Sequence, residues 1–358
     1  MVKKIAVGVG VIALLIATSL FVFQSQIGFW LFKAGVAQNM GRDTASGLSD
    51  GLHVGLCGTG SPLPNPDRAG PCNVVIAGDQ MYIIDMGEAG ARNLTRMGVD
   101  VSDADGLLLT HFHSDHIDGL GPMMLLHWMR KGNTKPLPVH GPSGVEAVTD
   151  GFNAAYATDE TYRVAHHGEE SAPTSGGGAE AIPFEMTADQ VTVLEKDGLT
   201  ITAFNVVHAP VFPAVGYRFD YKGRSVCISG DTAKSTNLET ACEGVDILVH
   251  DALQPTMVKE MGIAMEKRGN PMGAKIFFDI LDYHASPEQA AESAQTAGVD
   301  TLVLSHLVPP LPSKYLGAAF LGDAPSRFDG EIVVGEDGML FSMAPESDAI
   351  EQTNTFIM

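Results

Sequence analysis

The sequence predicts an α/β fold, an αββα sandwich of two packed mixed β-sheets flanked by helices. Three observations lead there. Short apolar or alternating runs bounded by Gly, Pro and Asp recur along the chain, as strands should. Helical stretches interleave with them and each half opens on strands, an order that suits two sheets packed face to face with helices outside. The chain has 358 residues, 45% hydrophobic and 18% charged, enough to bury a core of that size.

The N-terminus stands apart. Lys3 and Lys4 precede an uncharged apolar run, Ile5 to Phe23, about 28 Å long as a helix against the ~30 Å of a bilayer core. A second apolar patch, Ile27 to Phe32, contains Trp30, a residue favoured at membrane interfaces. Residues 1–32 read as a membrane anchor or signal segment, 33–51 as a linker, 52–345 as the main folded domain and 346–358 as a tail. The two lysines hold the N-terminus inside. The expectation is an exported protein, anchored to the inner membrane facing the periplasm, or secreted or periplasmic after signal cleavage near Gly35-Val36-Ala37.

In the first half of the domain, strands are expected at Leu52–Cys57, Asn73–Ala77, Met81–Asp85, Gly106–Leu109 and Leu137–His140. Helices are expected at Ala89–Met97, Met123–Lys131 and Ser143–Tyr156. Residues 165–181, with His166-His167 and a run of glycines, read as a loop. In the second half, strands fall at Val191–Glu195, Leu199–Val207, Ala214–Tyr221, Ser225–Ser229, Asp246–His250 and Thr301–Ser305. Helices fall at Thr236–Glu243, Pro255–Met265 and Pro287–Thr296. A hairpin of Glu331–Val334 with Leu340–Met343 closes the domain, turning on Glu336-Asp337-Gly338.

The formal net charge of −21 repels polyanions at long range. It argues against a protein that grips nucleic acid over a wide surface. The four cysteines form no C-x-x-C pair, which disfavours a cysteine zinc site. Cys57 and Cys72, and likewise Cys227 and Cys242, bracket intervals between expected elements. They read as small buried thiols, with a Cys57–Cys72 bridge as the alternative if the domain is exported.

The chemistry concentrates in His111-Phe112-His113-Ser114-Asp115-His116, four potential metal ligands in six residues at the end of an apolar strand. Alternation puts 111, 113 and 115 on one side of an extended segment. His116 follows as the chain turns. Imidazole and carboxylate suit zinc and other first-row divalent metals. Three further residues, His208, Asp231 and His306, stand where other expected strands stop. A site at one rim of a sandwich would collect them there.

With these residues in place the sequence resembles the metallo-β-lactamase superfamily, in the branch containing tRNase Z and the metal-dependent arylsulfatases. The resemblance covers roughly Leu52 to Met343. It is carried by Gly58-Thr59-Gly60-Ser61-Pro62, Ile84-Asp85-Met86-Gly87, Thr110 to Gly119, His208, Ser229-Gly230-Asp231-Thr232, His284-Ala285-Ser286 and Leu304-Ser305-His306. It implies two divalent ions, best matched by Zn2+, with Mn2+ or Fe2+ as alternatives. His111, His113 and His208 would hold one, Asp115, His116 and His306 the other, and Asp231 would bridge them. It further implies that Asp115 orients the nucleophile, that Asp85 supports a ligand and that His284 acts as general acid.

The flanking loops depart from the tRNA-processing members. Pro64-Asn65-Pro66-Asp67-Arg68-Ala69 keeps the Pro and Arg of Pro-x-Lys-x-Arg-Asn but lacks its Lys and Asn. His250-Asp251-Ala252-Leu253 stands for His-Glu-Ala-Thr and His284-Ala285-Ser286 for His-Ser-Thr. These departures, the charge and the expected export favour a small anionic ester, an aryl sulfate or phosphodiester, over nucleic acid as substrate. A tRNase Z-like endoribonuclease or a lactone or lactam hydrolase are the alternatives. Met257, Met261 and Met265 with Phe277 and Phe278 read as ordinary packing, or else as an apolar lid. A homodimer is compatible with the sequence.

Overall fold

The structure, a computed structural model, describes residues 2–356. It divides into two compact units between Asp43 and Thr44. The N-terminal unit holds α1 (Val2–Val22) and α2 (Gln24–Asn39). Among the described residues no single helix is long and apolar enough to cross a membrane. Gly8–Val22 and Gln24–Gln38 meet that length and composition together, with a bend of 70° between them.

The second unit begins with β1 (Leu52–Gly58), β2 (Cys72–Ala77), β3 (Gln80–Ile84), α3 (Gly90–Met97), β4 (Gly106–Leu108), α4 (Ser114–Ile117), α5 (Leu120–Met129), β5 (Leu137–Pro142), α6 (Val145–Ser171) and β6 (Ala179–Phe184). It continues with β7 (Gln190–Lys196), β8 (Leu199–Asn205), β9 (Val215–Tyr221), β10 (Arg224–Ile228), α7 (Thr236–Ala241), β11 (Ile247–Leu253), α8 (Pro255–Lys267), α9 (Pro271–Asp279), α10 (Pro287–Ala297), β12 (Thr301–Val308) and α11 (Gly317–Leu321). It closes with β13 (Glu331–Val334), β14 (Met339–Met343) and β15 (Glu351–Asn354).

The strands build two mixed sheets, ordered β15-β14-β1-β2-β3-β4-β5-β6 and β13-β12-β11-β10-β9-β8-β7. In each, one run is parallel, β3 to β6 and β10 to β13, and the remainder antiparallel. Alternation along the strands sorts their side chains. Leu52, Val54 and Leu56 of β1 meet Ile201, Tyr217 and Val249 of the other sheet in a central core. Val74, Ile76 and Ile83 point outward beneath Leu94, Leu120 and Met123 of α3 and α5. Leu248 and Leu302 point the other way, beneath Ala290 and Ala294 of α10. Central strands are therefore buried on both faces, which is why they read in the sequence as continuous apolar runs.

Four expectations need correction. Residues 165–181 are not one loop. Helix α6 continues to Ser171, with Gly168 (φ 75°, ψ 167°) taking up a kink that a residue with a Cβ would resist, and β6 begins at Ala179. The closing hairpin does not form, because β13 pairs in parallel with β12 while β14 pairs with β1 in the opposite sheet. Asp337, read as a turn residue, is buried and accepts hydrogen bonds from Thr59, Ala69 and Asn93 of the first sheet's layer. Helix α9 and strand β15 lie outside the sequence expectations, β15 because it is exposed along its length and has no apolar alternation. Finally, both cysteine pairs are bridged, with Cα–Cα separations of 5.0 Å for Cys57–Cys72 and 5.8 Å for Cys227–Cys242.

Candidate metal centre

The sheet topology explains why distant residues converge. Strands β4, β10, β11 and β12 lie in parallel runs, and β8 shares the direction of β10 because both pair antiparallel with β9. Ligands of α/β sheets collect beyond the carboxyl ends of such strands. His111 to His116 follow β4, His208 follows β8, Asp231 follows β10, and His284 sits just ahead of α10. His306 is aimed by a local device. Asp251 pairs with Ser305 and Ala252 with Leu307, so His306 is the extra residue of a bulge, at φ 45°. A bulge turns a side chain out of the ladder. A non-glycine residue at positive φ is strained, and strain of this kind gathers at functional sites.

All seven anticipated ligands meet. His111, His113, His208 and Asp231 offer atoms within 4.8 Å of one another, as do Asp115, His116 and His306. His111 Nε2 lies 2.9 Å from His113 Nδ1, and His208 Nε2 lies 3.4 Å from that same nitrogen. Asp231 Oδ2 is 3.8 Å from both His111 Nε2 and His208 Nε2 and 3.4 Å from His306 Nε2. His116 Nε2 faces Asp231 Oδ1 at 3.4 Å and Asp115 Oδ2 at 3.7 Å, and His306 Nε2 reaches Asp115 Oδ2 at 3.2 Å. Tetrahedral ligands about 2.1 Å from a zinc ion would stand roughly 3.4 Å apart. The observed spread brackets that value. His116 Nε2 and Asp231 Oδ1 are buried without a hydrogen-bond partner, so the donor set fits divalent cations.

The outer ring nitrogens of His116, His111 and His208 are tied down. His116 Nδ1 donates to Asp85 Oδ2 at 2.8 Å, and Asp85 also accepts from the Thr110 N–H at 2.8 Å and the Thr110 hydroxyl at 2.9 Å. His111 Nδ1 is 3.1 Å from that hydroxyl, and His208 Nδ1 donates to the Tyr283 carbonyl at 3.0 Å. Such partners fix the tautomer and leave the inward nitrogen with its lone pair free for a cation. Burial, with the neighbouring His116, pushes His111 well below the usual imidazole range. Burial opposes charge on His306 too, but Asp231 and Asp115 overcome it and raise its pKa to about 9. Burial alone would raise Asp231. His306 and His116 prevail and hold its carboxyl well below the usual range.

His284, the anticipated acid, is nearly buried at the edge of this cluster, its ring stacked 5.4 Å from His306. Its Nδ1 donates to Asp251 Oδ2 at 2.8 Å. No role was read for Asp251, although it stands at the acidic position of the quoted His-Glu-Ala-Thr counterpart. That position was the signal. Burial works against the Asp251 carboxylate, yet hydrogen bonds from His250 and His284 keep its pKa low, so it stays charged. Arg68, retained from the family loop, is occupied in the structure: its Nη1 donates to Thr59 Oγ1 and the Gly335 carbonyl. Met257 packs into the outer core under the second sheet.

The profile of the β-lactamase superfamily domain matches residues 84–307. A ribonuclease Z of Mycobacterium bovis is 36% identical over 292 residues, 80% of this chain and 96% of the relative. One of Mycolicibacterium gilvum is 35% identical over 289 residues, 80% of this chain and 94% of the relative. The chain belongs to the metallo-β-lactamase superfamily, in its tRNase Z branch. Solved structures share the fold. The metallo-β-lactamase fold protein YhfI of Bacillus subtilis superposes with a TM-score of 0.58 at 20% identity, covering 81% of this chain and 99% of that one. The short form of human tRNase Z gives 0.57 at 19%, covering 82% and 100%.

Membership makes the chain a metal-dependent hydrolase acting on ester bonds. It also overturns two expectations, the small anionic ester as substrate and the disfavouring of nucleic acid. The relatives that match over nearly their whole length are ribonucleases. Net charge averages over the entire surface and does not decide what a local cleft lined by metal ligands accepts.

Proposed function

We propose that this enzyme is a tRNase Z-like endoribonuclease that hydrolyses a phosphodiester bond in structured RNA. The observation that carries the reading is the 36% identity to a ribonuclease Z over 96% of that protein's length. His111, His113 and His208 would hold one divalent cation, Asp115, His116 and His306 a second, with Asp231 between them. The imidazole-rich set, five histidines with two carboxylates, suits zinc. When bound, such ions supply positive charge and Lewis acidity to a phosphoryl centre.

The chain's own residues supply the rest. Asp115, whose carboxylate faces His116 and His306, would be able to orient an attacking water. Asp251 keeps the Nδ1 proton of His284 engaged and fixes the ring, leaving Nε2 to deliver a proton to the departing ribose oxygen. A positioned acid of this kind contributes about 10²–10⁴-fold. The test is zinc-loaded full-length chain with a precursor tRNA carrying a 3′ trailer. A single endonucleolytic cut is expected. Failure to cut while the metals stay bound and the RNA is held would dispose of the reading.

A further inference from the structure

We propose that the N-terminal unit is a lipid-bilayer anchor and that the catalytic unit works on the oxidising face of that membrane. Two independent observations carry this, and neither depends on the reaction.

The first is the surface of the N-terminal helices. Phe21, Phe29, Trp30 and Phe32 are each more than half exposed. Most of the large exposed apolar side chains of the described chain lie between Val9 and Met40. Soluble surfaces rarely gather so much contiguous apolar area, and a patch of that kind marks a docking surface. Charge selects lipid as its occupant. The first acidic residue is Asp43; before it stand Lys3, Lys4, Lys33 and Arg42. The remainder of the chain carries all 43 acidic residues against the other 18 of the 22 basic ones. An acid-free basic and apolar segment complements a bilayer with anionic headgroups. Length agrees as well. Gly8–Val22 and Gln24–Gln38 together meet the length and composition of a span, although neither helix does so alone. With the 70° bend between them, the pair would enter the bilayer as one broken hydrophobic element, and Trp30 is a residue favoured at its interface.

The second observation chooses the face. Lys3 and Lys4 alone do not hold the N-terminus inside, as the sequence first suggests, because Lys33 and Arg42 follow the same apolar stretch. The cysteines decide the face. Both pairs are bridged and no free cysteine remains among the described residues. All four are fully buried, and their intervals of 15 residues each tie neighbouring elements of one sheet layer. Paired disulfides persist on the oxidising side of a membrane and are rare in reducing compartments. An RNA-cleaving unit on that face would meet RNA that has left the cytoplasm.

The test uses the full chain in a bacterial host. Membranes are washed with alkaline carbonate, acid-quenched cells are labelled with a mass-adding maleimide with and without prior reduction, and intact spheroplasts are treated with protease. The chain is expected to remain in washed membranes, to accept label on its four cysteines only after reduction, and to be digested from outside. Release by carbonate overturns the anchor. Labelling without reduction, or protection of the catalytic unit in intact spheroplasts, overturns the assigned face. None of these readouts involves RNA cleavage, so this inference and the ribonuclease reading fail separately.

Discussion

Replacing Asp85 by Asn keeps the volume of a buried side chain while changing what one atom offers. The Thr110 N–H is a fixed donor to Asp85 Oδ1, so the Asn carbonyl oxygen will sit there. The amide nitrogen then occupies the position of Oδ2, which now accepts from His116 Nδ1 and the Thr110 hydroxyl. Two donors cannot face each other. The hydroxyl can rotate, but His116 must move its proton from Nδ1 to Nε2, the nitrogen that faces Asp231 at 3.4 Å. A protonated Nε2 has no lone pair to give a metal. Losing such a supporting partner typically weakens metal binding by about 10–100-fold, or about 1.4 to 2.8 kcal/mol. The cost to folding of the metal-free protein is of similar size, about 1–3 kcal/mol, with the switched tautomer restoring one hydrogen bond. Competition with a zinc-sensitive chelator reads the first quantity and urea unfolding of the metal-free protein the second. Unchanged zinc affinity in Asp85→Asn would refute the claim that Asp85 sets the His116 tautomer.

Three further outcomes are expected. His284→Ala should lower the cleavage rate by about 10²–10⁴-fold with metal content intact; a smaller loss would remove His284 from proton transfer. Asp337→Ala leaves the donors of Thr59, Ala69 and Asn93 buried without their acceptor. It should cost about 3–5 kcal/mol in urea unfolding, and a loss under about 1 kcal/mol would show that the sheet crossing does not depend on it. In metal-free protein the His306 pKa is raised from 6.5 to about 9. Its contribution to stability is therefore fully present below about pH 6.5 and lost as pH rises through about 9. Lowered His111 acts oppositely, but only as pH falls below its unfolded value. Unfolding with chelator present should show declining stability between about pH 6.5 and 10, with metal affinity rising over the same interval as that proton is displaced. A flat profile for both would refute the assigned electrostatics.

Much of this protein is legible in the chain alone. The His111 to His116 cluster announces itself because local spacing along one strand end places several ligands on one side. Asp231 and His306 could be picked out because each follows an apolar run that stops. The two-sheet sandwich is readable because its central strands are buried on both faces and so lack polar interruptions.

What the tertiary structure alone decided depends on partners distant in sequence. A strand's alternation states which face is buried but not which neighbour it joins, so Glu331–Val334 and Leu340–Met343 looked like a hairpin although they lie in different sheets. Asp251 earns its place only through His284, 33 residues away. Arg68 is a retained loop arginine in the sequence, and only the structure shows Thr59 and Gly335 occupying it. The cysteine spacing favoured buried thiols over bridges, because bridging depends on Cα atoms within reach across folded elements. Net charge misled about nucleic acid for the same reason. A sum over the chain carries no position, and position is what folding adds.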